Sequence, residues 1–343
     1  MQSLRRPRLT PAIADLRRAV REQLPASGLV LVGLSGGADS LALAAATAFE
    51  AARAGLGAGA VIVDHGLQAG SAGIAQVAAE QAADLGLDPV LIVPVTVTDA
   101  GGNGPEAAAR TARYAAFDSA LAGTGAVAVL LGHTLDDQAE TVLLGLARGS
   151  GARSLQGMAA ISGRYRRPLL GIRRAQTRQA CLDAGLTAWA DPQNADPRYA
   201  RVRVRSRVLP VLETELGPGV AQALARTADV LREDADALDA LVPALVAAAL
   251  SPAGAGSAVS VDRLAAQPAA IVHRMIRAVV AGEFGVTLER DHTLAVARLV
   301  THWHGQNALD LPGVRVERQG GTLVFSAPRP TQNKGPFRSH GTS

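Results

Sequence analysis

The first 150 residues alternate apolar runs with helix-like stretches, and this alternation limits the fold more than any other feature. "GLVLVGL" (28–34), "GAVIVD" (59–64), "DPVLIVPVTV" (88–97) and "GAVAVLLG" (125–132) read as strands. Between and after them, "DSLALAAATAFEAARAG" (39–55), "AGIAQVAAEQAADLG" (72–86), "PEAAARTARYAAFDSALAG" (105–123) and "LDDQAETVLLGLARG" (135–149) read as helices, the third with Pro105 in its first turn. Near-continuous apolar strands separated by helices predict an α/β parallel sheet with both faces covered. Such sheets bind ligands outside the carboxyl ends of their strands. Residues that do chemistry are therefore expected just after the apolar runs.

The pattern changes after about residue 150. Residues 151–210 are rich in arginine, and "ETELGPGV" (213–220) reads as a linker. Helical patterns follow at 221–250, 267–284 and 289–303, then a β-like end, "VRVERQGGTLVFS" (314–326), in which "QGG" can close a hairpin. A chain of 343 residues is expected to hold two domains. We assign 1–215 to the sheet domain, 220–328 to a smaller, mainly helical domain and 329–343 to a disordered tail. Aromatic residues make up only 3%, so Ala, Val and Leu must fill the core. No uncharged apolar run approaches 18 residues, and the basic start "MQSLRRPRLTPAIADLRRAV" lacks a signal-peptide stretch, so the expectation is no membrane and a cytoplasmic location. Cys181 is the only cysteine, which excludes an intrachain disulfide and a cysteine-held zinc or iron–sulfur centre; its helical setting suggests a small buried residue. The net charge of +4 is compatible with an anionic partner. Lys334 is the only lysine, so no motif in the body of the chain can use one. His302 and His304 flank Trp303 and read as packing or surface residues.

The first strand runs into "SGGADS", residues Ser35, Gly36, Gly37, Ala38, Asp39 and Ser40. This is neither G-x-x-x-x-G-K-[ST] nor G-x-G-x-x-G. Two glycines let backbone N–H groups approach an anion, and the next helix offers its positive end. Ser35 and Ser40 can donate hydroxyl bonds, and Asp39 suits a phosphate-bound magnesium. The alternative is a plain turn in which Asp39 or Ser35 caps the helix. Asp64 and His65 end the second strand. Arg110, Arg113, Tyr114 and Phe117 share one helical face, where the arginines either reach an anion or sit in solvent. After the fourth strand come His133, Asp136 and Asp137. Thr134 and Asp137 have capping-box spacing, which leaves Asp136 unexplained; adjacent carboxylates at that edge can instead bind Mg²⁺ with ATP phosphates. Arg201, Arg203 and Arg205 alternate. On a strand they would form one basic face able to hold an RNA backbone; on a helix they would spread round it.

"SGGxDS" after a first strand resembles the PP-loop ATPases, which split ATP between the α and β phosphates. "VDHGLQ", "ARTARY", "GHTLDDQAET…RGSGARSLQGM" and "RPLL…W…DPQN…Y…RVRVRSRVLP" are similar, in that order, to the tRNA(Ile)-lysidine synthetases within that class. Four positions depart from that pattern: Gln68 for arginine, Thr134 for a second histidine, Val202 for asparagine and, as a minor difference, Gln156 beside the expected glycine. The resemblance is specific over 30–210 and weaker to about residue 326. It implies a PP-loop domain of the adenine nucleotide α-hydrolase kind. ATP would bind at Ser35–Ser40 with Asp64 and His65, Mg²⁺ at Asp39 and Asp137, and tRNA at Arg201, Arg203 and Arg205. Asp39, Arg113, His133, Asp136 and Asp137 would be catalytic. The implied reaction adenylates the C2 oxygen of the wobble cytidine in a tRNA(Ile) with a CAU anticodon, and free L-lysine then displaces AMP to give lysidine. Either His133 or Asp136 would take the lysine proton. A homodimer is one expectation for the oligomeric state, which the sequence leaves open. Of the rival readings, tRNA thiolation generally needs several cysteines, a non-catalytic RNA-binding protein would not need both the glycine loop and the Asp136–Asp137 pair intact, and a small-molecule synthetase would not need the arginine-rich stretch.

Overall fold

The computed structural model describes residues 9–66, 70–97, 104–149, 151–254 and 256–328. The basic residues before position 9, Gln68 and the tail expected at 329–343 lie outside them. The chain divides into two compact units, Met1–Arg232 and Glu233–Ser343.

In the first unit, β1 (Leu29–Gly33), β2 (Gly57–Asp64), β3 (Val90–Pro94) and β4 (Ala128–Leu131) run parallel in the order β3-β2-β1-β4. Two short strands continue the sheet past β4: β5 (Ile161–Ser162) and β6 (Tyr165–Arg166), with β6 parallel to β4 and β5 antiparallel to β6. Alternate residues of the strands enter two cores. Val30, Val32, Ala60, Ile62 and Leu130 pack under α1 (Pro11–Gln23), α2 (Ala38–Arg53) and α3 (Ser71–Asp84). Leu31, Val61, Val129 and Leu131 pack on Phe117 and Leu121 of α4 (Pro105–Thr124). Burial on both faces explains why the strands read as unbroken apolar runs.

The chain lays down β1, β2 and β3 in one direction, then returns to place β4 on the far side of β1. The order reverses there, so the loops after β1 and β4 flank the crevice where sheets of this kind bind ligands. Gly132, just after β4, makes the close approach. A Cβ on it would lie 3.0 Å from the Ser40 backbone nitrogen and 3.1 Å from the Asp39 carbonyl carbon. Helix α5 (Leu135–Ala147) then leaves the crevice, followed by the short α6 (Ala152–Leu155), and α7 (Arg174–Asp183) packs against α2. Cys181 of α7 is buried, as its helical setting suggested.

The arginine-rich stretch is helical: α8 (Ala200–Arg203), a π-helical turn (Val204–Val208) and α9 (Leu209–Glu215) follow one another directly. Part of the predicted linker is therefore helix. Its Glu213 carboxylate accepts the N–H groups of Gly219, Val220 and Ala221, at 2.6, 3.3 and 3.0 Å, where α10 (Val220–Ala249) begins. An acid at a helix N-terminus satisfies donors and suits the dipole.

The second unit carries the helices α11 (Val261–Ala265), α12 (Ala269–Phe284) and α13 (Arg290–Thr301). With them is an antiparallel sheet, in the order β7 (Leu250–Ala253), β8 (Gly256–Ser260), β11 (Thr322–Ser326), β10 (Val314–Gln319) and β9 (Leu309–Leu311). Met275, Ile276, Val280, Val296 and Phe325 are among its fully buried side chains. Gly320 and Gly321 join β10 to β11, with Gln319 opposite Thr322, as the "QGG" signal predicted. Strands β7 and β8 were not anticipated. Among the described residues, no helix is long and apolar enough to cross a membrane.

Main chain cannot rotate away from a new methyl group at position 132. Gly132→Ala should destabilise the chain by about 1–3 kcal/mol in urea unfolding. Gly123→Ala, in open space on α4, should be neutral or stabilising by up to about 1 kcal/mol. Equal midpoints for the two variants would remove the close approach from the account.

Candidate active site

The loop after β1 is held by its own serines. The Ser35 N–H donates to Ser40 Oγ at 3.1 Å, and Ser40 Oγ donates to the Gly37 carbonyl at 3.0 Å. Gly36 has φ +78°, the left-handed region that favours glycine. Its carbonyl accepts the Trp189 N–H at 2.9 Å. Gly37 is the N-cap of α2, and no side chain caps the helix. The alternative in which Asp39 or Ser35 performs that job is therefore not the arrangement present. The first turn of α2 keeps its positive end for an anion. Beside Gly36, a cavity of about 450 Å³ is lined by Ile74, Val77, Ala78 and Trp189, with Thr187 and Gln81 among its polar groups.

Asp137 does two things at once. Its Oδ2 accepts the Thr134 N–H and hydroxyl, both at 2.8 Å, and completes a capping box on α5. Its Oδ1 accepts from Arg174 at 2.7 Å and from Arg205 at 3.4 Å. Burial opposes this charge, but Arg174, the Thr134 N–H and His133 together hold the carboxyl below the usual carboxylate range. Asp136, which capping did not explain, grips the start of α7. It accepts the Arg174 N–H at 2.7 Å and pairs with the Arg173 guanidinium at 3.0 Å. Asp39, on the first turn of α2, accepts from Arg174 at 3.4 Å and from the Thr177 hydroxyl. Burial raises its pKa, Thr177 and Arg174 oppose the rise, and nearby Asp137 adds to it. Glu140 is 0% exposed. Arg205 binds it in a fork at 2.7 and 3.0 Å, with Arg174 at 3.2 Å and Arg201 at 3.3 Å. Burial works against the charge of Arg174, yet Asp137, Glu140, Asp39 and Asp136 outweigh it and raise its pKa.

Helical geometry decides the alternating arginines. Residues four apart share a helix face, so Arg201 and Arg205 both turn onto Glu140. Arg203 points elsewhere, is exposed and donates to the carbonyls of Pro197 and Arg198 at 2.8 and 2.7 Å. The single basic face of the strand alternative does not form.

The histidines form a second grouping. His133 follows β4, and its imidazole pKa is pushed down to about 4. Burial is the largest cause; Asp137 opposes it, and the cations of Arg167, Arg201 and Arg110 add to it. His65, after β2, is lowered by burial and then by Arg113, while Asp64 opposes the shift. Asp64 is itself lowered, chiefly by the Gly66 N–H, which it accepts at 3.0 Å. The structure thus brings Asp39, His133, Asp136 and Asp137 together and sets Arg113 beside His65. Arg173, Arg174, Thr177 and Glu140 join the site without having been singled out from the sequence. Among the described residues, no three His, Cys, Asp or Glu side chains are grouped to hold a metal by themselves.

A parallel sheet with this switch point, an uncapped glycine loop and paired aspartates across the crevice define a PP-loop protein. The family described as "PP-loop domain" matches residues 11–212, and that described as "TilS substrate binding domain" matches 260–324. A tRNA(Ile)-lysidine synthase of Leifsonia xyli is 63% identical over 88% of this chain and 91% of its own length. One from Streptomyces coelicolor is 55% identical over 88% and 86%, and one from Mycobacterium bovis 48% over 92% and 97%. The chain belongs to the tRNA(Ile)-lysidine synthase family, and with it to the ATP-using, ligase-type enzymes of tRNA modification. The solved structure of the U34-tRNA thiolase NcsA from Methanococcus maripaludis, with its [4Fe-4S] cluster, is similar in fold, with a TM-score of 0.55 and 20% identity over 65% of this chain and 80% of that one.

The lowered imidazole pKa has a consequence for stability. A free imidazole titrates near 6.5, so the folded chain resists protonating His133 where the unfolded chain accepts it. The stability this supplies is complete above pH about 6.5 and is lost as the pH falls toward the folded value. Urea midpoints should drop between about pH 6.5 and 4, and His133→Asn should flatten that limb. An unchanged limb in the variant would place the acid sensitivity elsewhere.

Proposed function

We propose that this chain ligates free L-lysine to C2 of the wobble cytidine of a tRNA(Ile) with a CAU anticodon. The products are lysidine, AMP and pyrophosphate. The observation that carries the reading is the uncapped N-terminus of α2 behind Gly36 and Gly37, with Asp39 on its first turn and Asp137 of α5 close to it. The cytidine C2 oxygen attacks the α-phosphate of ATP, and pyrophosphate leaves. Backbone N–H groups of the loop and the hydroxyl of Ser35 receive the phosphate charge, while Ser40 holds the loop in shape. The cavity beside Trp189 suits the flat adenine ring, with Asp64, His65 and Arg113 at the neighbouring strand end. The lysine ε-amine then adds to C2, AMP departs and one proton is released. His133 and Asp136 are the two candidate acceptors: among the described residues the His133 Nδ1 has no hydrogen-bond partner, but burial and neighbouring cations disfavour a proton on the imidazole. Both oxygens of Asp136 are held by Arg173 and by the Arg174 N–H.

Asp39 and Asp137 fit Mg²⁺, which takes one or two carboxylates together with phosphate oxygens. Their oxygens converge on one cation already, the Arg174 guanidinium. When bound, Mg²⁺ would neutralise charge on the phosphates. The exposed Arg203 is the member of the arginine trio best placed to meet RNA.

The test supplies ATP, Mg²⁺ and labelled lysine with tRNA(Ile) bearing CAU, beside a control with another wobble base. Label should enter only the first, with one AMP released per lysine. Label in both, or ADP as product, would overturn the reading. Asp39→Asn should lower turnover by at least about a hundredfold with little change in the unfolding midpoint. Asp137→Asn keeps an oxygen for the capping box and should lose activity to a similar degree.

A further inference from the structure

Arg167 is a buried cation without a counter-charge among the described residues. It is 5% exposed and stands beside the carboxyl end of β6, next to β4 and His133. Its Nη1 donates to the Ala159 carbonyl at 2.8 Å and its Nη2 to the Tyr114 hydroxyl at 3.1 Å. Its Nε has no hydrogen-bond partner among the described residues. The exposed Arg110 donates to the same Tyr114 oxygen at 3.3 Å and lies 4.8 Å from the centre of that ring. Two guanidinium groups thus meet on one neutral acceptor. Among the described residues, no carboxylate pairs with either of them, whereas Arg173, Arg174, Arg201 and Arg205 all face acids. Like charges this close repel, and a buried unpaired charge is costly. An anion would relieve both penalties, and planar guanidinium forks match the oxygens of phosphate.

We propose that Arg110 and Arg167 form a phosphate-binding pair at the His133 edge of the site, with Tyr114 setting their spacing. The pair takes one phosphate group of the reaction assigned above, and in naming its source this inference rests on that reading. The source is either the pyrophosphate half of ATP or a backbone phosphate of the RNA beside the flipped cytidine. Arg167 supplies the preorganised half of the clamp because burial fixes it. Arg110, on the open face of α4, closes on the ligand.

Equilibrium binding by the full chain tests this without turnover. The probes are Mg²⁺-pyrophosphate, ATP and a tRNA(Ile) transcript, each titrated into wild type, Arg110→Gln and Arg167→Lys. Arg110 is exposed, so Arg110→Gln keeps the test readable if the buried variant fails to fold. If the nucleotide is the source, Arg110→Gln should weaken pyrophosphate and ATP at least about tenfold and leave tRNA within about twofold. If RNA is the source, tRNA affinity should fall instead, and the salt slope should drop by about one per arginine removed. Arg167→Lys, which keeps the charge and loses the fork, should show a partial loss for the same ligand. Affinities within about twofold of wild type for all three probes, in a folded Arg110→Gln, would overturn the proposal. Should wild type bind these probes yet incorporate no lysine, the reaction assigned above fails while the binding result for the pair stands.

Discussion

The site depends on one guanidinium. Arg174 reaches Asp39 on α2 and both Asp137 and Glu140 on α5, and it does so from the first residue of α7. Three helices, α2, α5 and α7, are joined there by charge-assisted hydrogen bonds. Burying these charges is unfavourable in itself, and removing one partner from such a group commonly costs about 3–5 kcal/mol. The group is therefore stable only when complete, and completeness fixes where each carboxylate sits. Gly132 acts on the same geometry sterically, since only hydrogen lets the β4 loop lie against Ser40.

Charge is divided unevenly along this edge of the sheet. On the α5 and α7 side, the four arginines 173, 174, 201 and 205 meet the four carboxylates of Asp39, Asp136, Asp137 and Glu140. That group is formally neutral and has little to offer a bare polyphosphate. On the α4 and β6 side, among the described residues, Arg110 and Arg167 have only the Tyr114 hydroxyl and a carbonyl. The α2 N-terminus lies beside the balanced group and adds a partial positive charge with no side-chain acceptor. An anion gains most at the helix end and the unbalanced pair; a cation gains most among the carboxylates.

The sheet was legible because its strands are buried on both faces, and their apolar runs stand out between helices. Asp64, His133, Asp136 and Asp137 could be singled out because they follow such runs. Arg174 could not, since its partners lie 34 to 135 residues away and nothing local marks it among a dozen arginines. Nothing local marks Glu140 as buried either, because the partner that covers it, Arg205, lies 65 positions on. The alternation of Arg201, Arg203 and Arg205 carried a period compatible with a strand, and tertiary pairing with Glu140 and Asp137 went with helix instead. Strands β7 and β8 were hidden for a related reason. "LSPA" and "GSAVS" hold few β-branched residues, and their conformation is set by pairing, β7 with β8 and β8 with β11, rather than by propensity.

The scarcity of lysine reads differently once the cations are placed. A lysine buried among these side chains would lower its own pKa and shed its proton wherever a carboxylate failed to hold it. Arginine keeps its charge under the same burial and offers a fixed fork to two acceptors at once. Because the cations that surround the crevice are arginines, their charge does not vary over the range in which the chain is folded. Any response to pH at this edge must therefore come from the acids and from the histidines, His65 and His133. The His133 imidazole is held neutral by burial and by cations that cannot relax by losing a proton. The charge a lysine in the loop would have offered an anion comes instead from the α2 N-terminus and from Arg110 and Arg167, whose charge no carboxylate among the described residues balances.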